Sequence, residues 1–149
     1  MFRSVTAVLL GVLVTLVIET LIVGGILGPL FQALLPPNLV NSPVWAVIIL
    51  VVPVVFAFYF GGMAAGYRAT SRHELHGLIV VLALFVVSPA LNLLALNSQN
   101  DQFPQIRAAQ TILILVVATI SAFVGARRGK GFYEYNQSHI RRRQRARKG

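Results

Sequence analysis

Four apolar runs, each about as long as a membrane-spanning helix, dominate this sequence and leave only short connections between them. The runs cover residues 5–27, 44–67, 75–96 and 108–126. Each supplies about the 20 residues that a helix needs to cross a hydrocarbon core of roughly 30 Å. Only 11% of the residues are charged, whereas a soluble domain carries about 25%. The sequence therefore predicts one membrane domain.

The predicted fold is all-α, an integral membrane four-helix bundle. Long apolar runs without strict alternation favour helices over barrel strands, because a helix pairs its own backbone groups in lipid. We expect a transmembrane domain over residues 1–126 and a basic cytoplasmic tail over residues 127–149. The first run is predicted to stay attached as a helix, since it is longer than a signal-peptide core and contains Glu19. The absence of cysteine excludes disulfides and thiol chemistry.

Basic residues outside the apolar runs predict the orientation. Arg3 precedes the first helix, and Arg68 and Arg72 lie between the second and third. More basic residues follow the fourth helix, whereas residues 28–43 contain no charge. Lys and Arg accumulate in cytoplasmic loops of membrane proteins. Both termini and the middle connection are therefore predicted to be cytoplasmic.

The tail carries most of the positive charge. Nine of the 13 basic residues fall within residues 127–149, opposed there only by Glu134. Each basic residue near an anionic membrane contributes about 1 kcal/mol, so we expect the tail to bind anionic headgroups. Nucleic acid is not the expected partner, because no recognition motif accompanies the charge. The predicted headgroup-binding residues form a proximal cluster (Arg127, Arg128, Lys130) and a distal cluster (Arg141, Arg142, Arg143, Arg145, Arg147, Lys148).

Small residues recur at a spacing of four on the second and fourth predicted helices. In lipid, such GxxxG-like ridges let two backbones approach closely and supply much of the packing between helices. Both helices run towards the cytoplasm, so they can pack against each other or against a second copy of the chain. We expect the intramolecular arrangement. The predicted packing residues are Gly61, Gly62, Ala65, Gly66, Ala118, Ala122 and Gly125.

Glu19 is an acidic residue within the first apolar run, roughly 4 to 5 Å from its middle at 1.5 Å per residue. A carboxyl group at this depth normally faces the bundle interior. It can act as a neutral hydrogen-bonding strut, as a proton or cation site, or as a contact to another membrane protein. Pro53 and Pro89, at a similar depth, each leave a backbone carbonyl without its helical donor. The candidate intramembrane polar site comprises Glu19, Thr15, Ser88 and Asn92.

Signals for catalysis or metal binding are weak. His73 and His76 can share a helix face, but their spacing is not that of HExxH and no third ligand is close in sequence. An interfacial helix start accounts for them better. The sequence has no phosphate-binding loop, nucleophile elbow or paired carboxylates. We therefore predict no enzyme, no metal and no cofactor.

The segment GGMAAGYRATSRHELHGLIVVLALF resembles the middle of small prokaryotic four-helix membrane proteins. In those proteins a Gly/Ala-rich end of helix two precedes an Arg-containing turn and a His-Gly pair that opens helix three. His76-Gly77 matches the pair, and the segment covers about 25 of the 149 residues. The resemblance implies the fold and a bacterial or archaeal membrane, and it implies no activity. Together with the four apolar runs, we expect a multi-pass protein of a prokaryotic inner (cytoplasmic) membrane.

These features predict a non-catalytic accessory or scaffold protein whose partners are membrane lipids, a second copy of the chain or another membrane protein. The main alternative is a small oligomeric ion channel or proton-coupled transporter that uses Glu19. A pore former of the holin type is a third reading. Four helices seldom enclose a substrate path alone, so transport would require a dimer or a larger assembly.

Overall fold

The computed structural model describes residues 2–34, 43–94 and 104–146, and these are helical almost throughout. The described residues contain no strand, so the predicted all-α fold is confirmed. The elements are α1 (Phe2–Glu19), a π-helix (Thr20–Leu27), α2 (Gly28–Leu34), α3 (Pro43–Arg68), α4 (His73–Leu94) and α5 (Pro104–Ala146).

Three helical stretches in the described part of the chain are long and apolar enough to cross a membrane: Arg3–Leu27, Val51–Arg68 and Ala109–Ala146. α4 adds the shorter apolar stretch His73–Val86. As a whole, α4 has 22 residues, which is about 33 Å of helix at 1.5 Å per residue. The chain is thus a helical membrane protein by length and composition, while the crossing of all four runs and the orientation stay predictions.

Two helices extend beyond the apolar runs that predicted them. The helical path of the first run continues past residue 27 as α2, which ends at Leu34. α5 does not end at residue 126 but continues to Ala146. The Arg, Lys, Gln and Glu residues after position 126 are good helix formers, and the first of these turns still pack against the bundle.

α3 is the central helix of the bundle. It packs most extensively against α5 and next against α1, and α4 contacts all three. The core consists of side chains such as Val54, Phe58 and Val80, together with fully buried alanines on α3 and α5. The outer faces of α1 and α5 expose large aliphatic residues, among them Leu9 and Ile112. An apolar outer surface of this kind suits contact with lipid or with another membrane helix.

Candidate functional site

α3 and α5 lie backbone against backbone. A Cβ atom added to Gly62 would lie 2.8 Å from the Cα of Ala122, and one added to Gly66 would lie 2.7 Å from the Cα of Ala126. No side chain fits at either distance. Positions 62 and 66 face positions 122 and 126 in the same order, so the two helices run parallel.

The contact is reciprocal, because glycines of α5 press on α3 in the same way. A Cβ at Gly125 would lie 2.8 Å from the carbonyl carbon of Tyr59, and one at Gly129 would lie 2.7 Å from the amide nitrogen of Tyr67. We call this two-sided contact the α3–α5 seam. Its fully buried alanines include two of the predicted packing residues, Ala118 and Ala122, as well as Ala126.

Two predicted packing residues on α3 lie towards α1. A Cβ at Gly61 would lie 2.8 Å from the carbonyl oxygen of Gly11, and one at Gly11 would lie 2.9 Å from the Cβ of Ala65. Gly11 was not singled out from the sequence, although Gly11 and Thr15 form the same small-xxx-small spacing. Gly129 was missed because the helix was predicted to end before it.

The predicted intramembrane polar site is only partly described. Thr15 is fully buried beside Gly61, and its hydroxyl donates to the carbonyl of Gly11 at 2.9 Å. Glu19 is half-buried and is the last residue of α1, directly before the chain changes to a π-helix. Ser88 and Asn92 lie on α4, where their side chains fall outside the described part of the structure.

Two buried histidines hold the turn between α3 and α4. Nδ1 of His73 donates to the carbonyl of Gly66 at 2.6 Å, and Nδ1 of His76 donates to the carbonyl of Arg72 at 3.0 Å. Because a carbonyl only accepts, both rings carry hydrogen on Nδ1. Arg72 has a φ of 49°, the left-handed conformation that reverses the chain. His73 also lies against Tyr133 of α5, with 5.6 Å between ring centroids.

His73 therefore joins α3, α4 and α5 at one end of the bundle, and His76 ties α4 to the turn before it. No group of three or more metal-ligating side chains occurs among the described residues. With Nδ1 committed to backbone carbonyls, each ring has Nε2 as its remaining nitrogen. The contacts of both residues are those that hold the turn.

The part of α5 beyond position 126 remains attached to the bundle for about ten residues, or three turns. Gly129 packs against Met63 and Tyr67, and Nδ2 of Asn136 donates to the Tyr67 hydroxyl at 3.0 Å. From Ser138 to the end of α5, every residue is exposed. We call residues 127–146 the cytoplasmic extension, following the predicted orientation. Its first half is packed and its second half projects alone.

The two basic clusters have different surroundings. In the proximal cluster, the guanidinium of Arg128 lies 5.4 Å from the ring centroid of Phe132, and Arg127 and Lys130 border a cleft between α4 and α5. This cleft has a volume of about 520 Å³ and is lined by Glu74, Phe123, Arg127, Lys130, Gly131 and Glu134.

The distal cluster lies on the exposed end of the cytoplasmic extension. Arg141, Arg142 and Arg145 border a shallow groove along the helix surface, and Arg143 is exposed beside them. Arg147 and Lys148 lie outside the described residues. The two clusters thus occupy opposite ends of the extension.

No family model, curated protein or solved structure matches this chain. The resemblance of the middle segment to small prokaryotic four-helix membrane proteins therefore stays a prediction.

Proposed function

We propose that the protein is a non-catalytic integral membrane scaffold that holds a basic helix above the cytoplasmic membrane surface. The observation that carries this proposal is the continuity of α5 from the bundle into the cytoplasmic extension. The α3–α5 seam fixes its membrane part, and the contacts of Gly129, Tyr133 and Asn136 fix its next three turns. A helix held in this way is suited to keeping its basic side chains at a fixed distance from the membrane surface.

The proximal cluster is the part of the tail that we assign to lipid headgroups. Gly66 faces Ala126 in the seam, so Arg127 and Arg128 lie near the level of Arg68 at the end of α3. Under the predicted orientation, this is the level of the cytoplasmic headgroups. Basic side chains at that level are attracted to anionic lipid over a short distance.

The distal cluster stands farther away. Arg141 follows Arg127 by 14 residues, which is about 21 Å of helix at 1.5 Å per residue. The Debye length at physiological salt is about 8 Å, so attraction to the membrane beneath is largely screened at that distance. Contact of the distal cluster with its own membrane, as predicted from the sequence, requires α5 to bend beyond Asn136.

Labels at the two clusters test this arrangement on the full chain. The protein has no native cysteine, so Arg128→Cys and Arg145→Cys can each carry one fluorophore in anionic vesicles. We expect a headgroup-attached quencher to quench the label at position 128 and to leave the label at position 145 bright. Equal quenching at both positions would show that the extension lies on the membrane.

The second candidate function is a proton-coupled transporter or ion channel that uses Glu19. One observation favours it, because Glu19 ends α1 where the backbone changes to a π-helix, and π segments are frequent at functional sites. A proton or cation site requires a group that changes charge, whereas a strut requires only a hydrogen bond.

A reconstituted flux assay separates the two functions. For a scaffold, we expect no proton or cation flux in the wild type, and we expect Glu19→Gln to melt like the wild type because an amide keeps a donor and an acceptor. Glu19→Leu should melt at a lower temperature. A wild-type flux that disappears in Glu19→Gln at unchanged stability would overturn the scaffold proposal in favour of the transporter.

A further inference from the structure

We propose that the cleft between the first turn of α4 and the cytoplasmic extension is a binding site for an ethanolamine phospholipid. The ligand chemistry is a phosphodiester joined to a primary ammonium group, carried on acyl chains in the membrane. The inference deepens the proposed function and rests on its placement of the proximal cluster at headgroup level. The proposed function involves only a general attraction between basic side chains and anionic lipid. The site proposed here would bind one particular lipid molecule per chain.

The charges that line the cleft suit a zwitterion. Arg127 and Lys130 supply two positive groups, and Glu74 and Glu134 supply two negative groups. The structure records no ion pair among these four side chains, all of which belong to the described residues. A phosphate can therefore take the basic pair and an ammonium the acidic pair. A purely anionic headgroup would leave two carboxylates facing negative charge.

The order of groups along α5 matches the order of groups in a phospholipid. Phe123 is 40% exposed on the apolar part of the helix. Arg127, Lys130 and Glu134 follow on the same face, each about one turn farther along. An acyl chain beside Phe123, a phosphate between Arg127 and Lys130, and an ammonium between Lys130 and Glu134 would reproduce that sequence. Glu74, in the first turn of α4, supplies a second carboxylate from the opposite wall of the cleft.

Gly131 lines the cleft and is exposed there. A Cβ atom added there would meet no atom within 4 Å. This differs from Gly62 or Gly125, where the backbone of a neighbouring helix occupies the space. The cleft has a volume of about 520 Å³ and is open along its length, as a site for a lipid headgroup at a membrane surface requires.

A choline headgroup is a poorer ligand on chemical grounds. Its quaternary ammonium has no N–H to donate, so neither Glu74 nor Glu134 would gain a charge-assisted hydrogen bond. Discrimination between ethanolamine and choline is therefore the sharpest expected property of the site. A tenfold preference corresponds to about 1.4 kcal/mol, which is close to the lower limit for one charge-assisted hydrogen bond.

Native mass spectrometry on the full chain tests the proposal. The purified protein is mixed with phosphatidylethanolamine, phosphatidylcholine or phosphatidylglycerol of identical acyl chains. We expect one retained phosphatidylethanolamine, about tenfold preferred over phosphatidylcholine. Equal retention of the two zwitterionic lipids, or a preference for phosphatidylglycerol, would overturn it. Displacement by phosphoethanolamine without acyl chains would make the site one for a soluble ligand and would overturn the lipid assignment.

Two variants connect the retained lipid to the cleft. Gly131→Leu should place a bulky side chain in the cleft and abolish retention without a loss of stability, since that side chain enters open space. Gly25→Leu, also directed into open space but near the opposite end of the bundle, is the matched control and should retain the lipid. Retention in Gly131→Leu would place the lipid elsewhere and overturn the proposal.

Glu74→Gln supplies a readout that misfolding cannot mimic. Removing one carboxylate should shift the preference from phosphatidylethanolamine towards phosphatidylglycerol, because the cleft then has a net positive charge. An unchanged order of lipids in this variant would contradict the site. The proposed scaffold function is tested by other measurements: an ion flux, or a cytoplasmic extension that lies on the membrane, would contradict it. Failure of the lipid site and failure of the scaffold function are therefore distinguishable.

Discussion

At the scale of single residues, this structure depends on positions where a side chain has no room. The sequence pointed to Gly62 and Gly66 because small residues at a spacing of four allow close helix approach in lipid. That rule names the ridge but not its partner. Gly61 packs against α1 and Gly62 packs against α5. Predicting which glycine faces which helix requires the rotation of α3 about its own axis, and packing on both sides of α3 sets that rotation.

Gly62→Leu is predicted to destabilise the bundle by about 2 kcal/mol, because the side chain would push the α3 and α5 backbones apart. Gly25→Leu, where a Cβ meets no atom within 4 Å, is the control and should change stability little. Thermal unfolding of the two purified variants in mild detergent measures the difference. Equal melting temperatures would contradict a tight α3–α5 seam.

His73→Ala is predicted to lower stability by about 1–3 kcal/mol, since it leaves the carbonyl of Gly66 without its buried donor. His139→Ala is a matched histidine variant on the exposed end of α5, where the ring lies edge-on against that of Tyr135. It should melt like the wild type. If His73→Ala also does so, the turn does not depend on this hydrogen bond.

At the scale of elements, α5 differs most from what the sequence indicated. Its apolar run ends near residue 126, and the charge that follows is typical of a solvated tail, so a boundary was predicted there. Hydropathy indicates whether a segment prefers water or lipid. It does not indicate which other part of the protein the segment packs against. The contacts of Gly129, Tyr133 and Asn136 are tertiary and join residues far apart in the sequence.

Amide hydrogen exchange is predicted to divide the cytoplasmic extension near Asn136. Residues up to that position should exchange slowly because Gly129, Tyr133 and Asn136 hold this part of the helix against α3 and α4. Residues 138–146 should exchange faster because all are exposed. Gly129→Leu, which forces a side chain against α3, should speed exchange over residues 127–136. Uniformly fast exchange throughout the wild-type extension would refute the docked arrangement.

At the scale of the whole molecule, the four apolar runs and the all-α class could be read directly from the sequence. Long apolar runs predict helices reliably because a backbone in lipid must pair its own polar groups, and an α-helix does so within one segment. The candidate polar site around Glu19 could not be assembled in the same way. Its residues come from different helices, and the rotation that would bring them together depends on packing that hydropathy does not record.

Single-cysteine labelling is predicted to report the turn between α3 and α4 and the C-terminal end of α5 on the cytoplasmic side. In this cysteine-free chain, cysteines at Ser71 and Ser138 should react only when the cytoplasmic face is opened. Cysteines at Asn38 and Asn100, in the connections outside the described residues, should react from outside in intact cells. An external reaction at Ser138 would contradict the four-span topology.

The parallel pairing of α3 with α5 has a consequence for how the chain is made. α3 leaves the ribosome before α5. The face of α3 that carries Gly62 and Gly66 therefore has no partner in the chain until residues 69–126 have followed. At about 5–20 residues per second, this takes roughly 3 to 12 seconds. During that interval the open face of one nascent chain can pair with that of another. We therefore expect slowed translation of this stretch to yield more exchanged dimers from an unchanged amino-acid sequence.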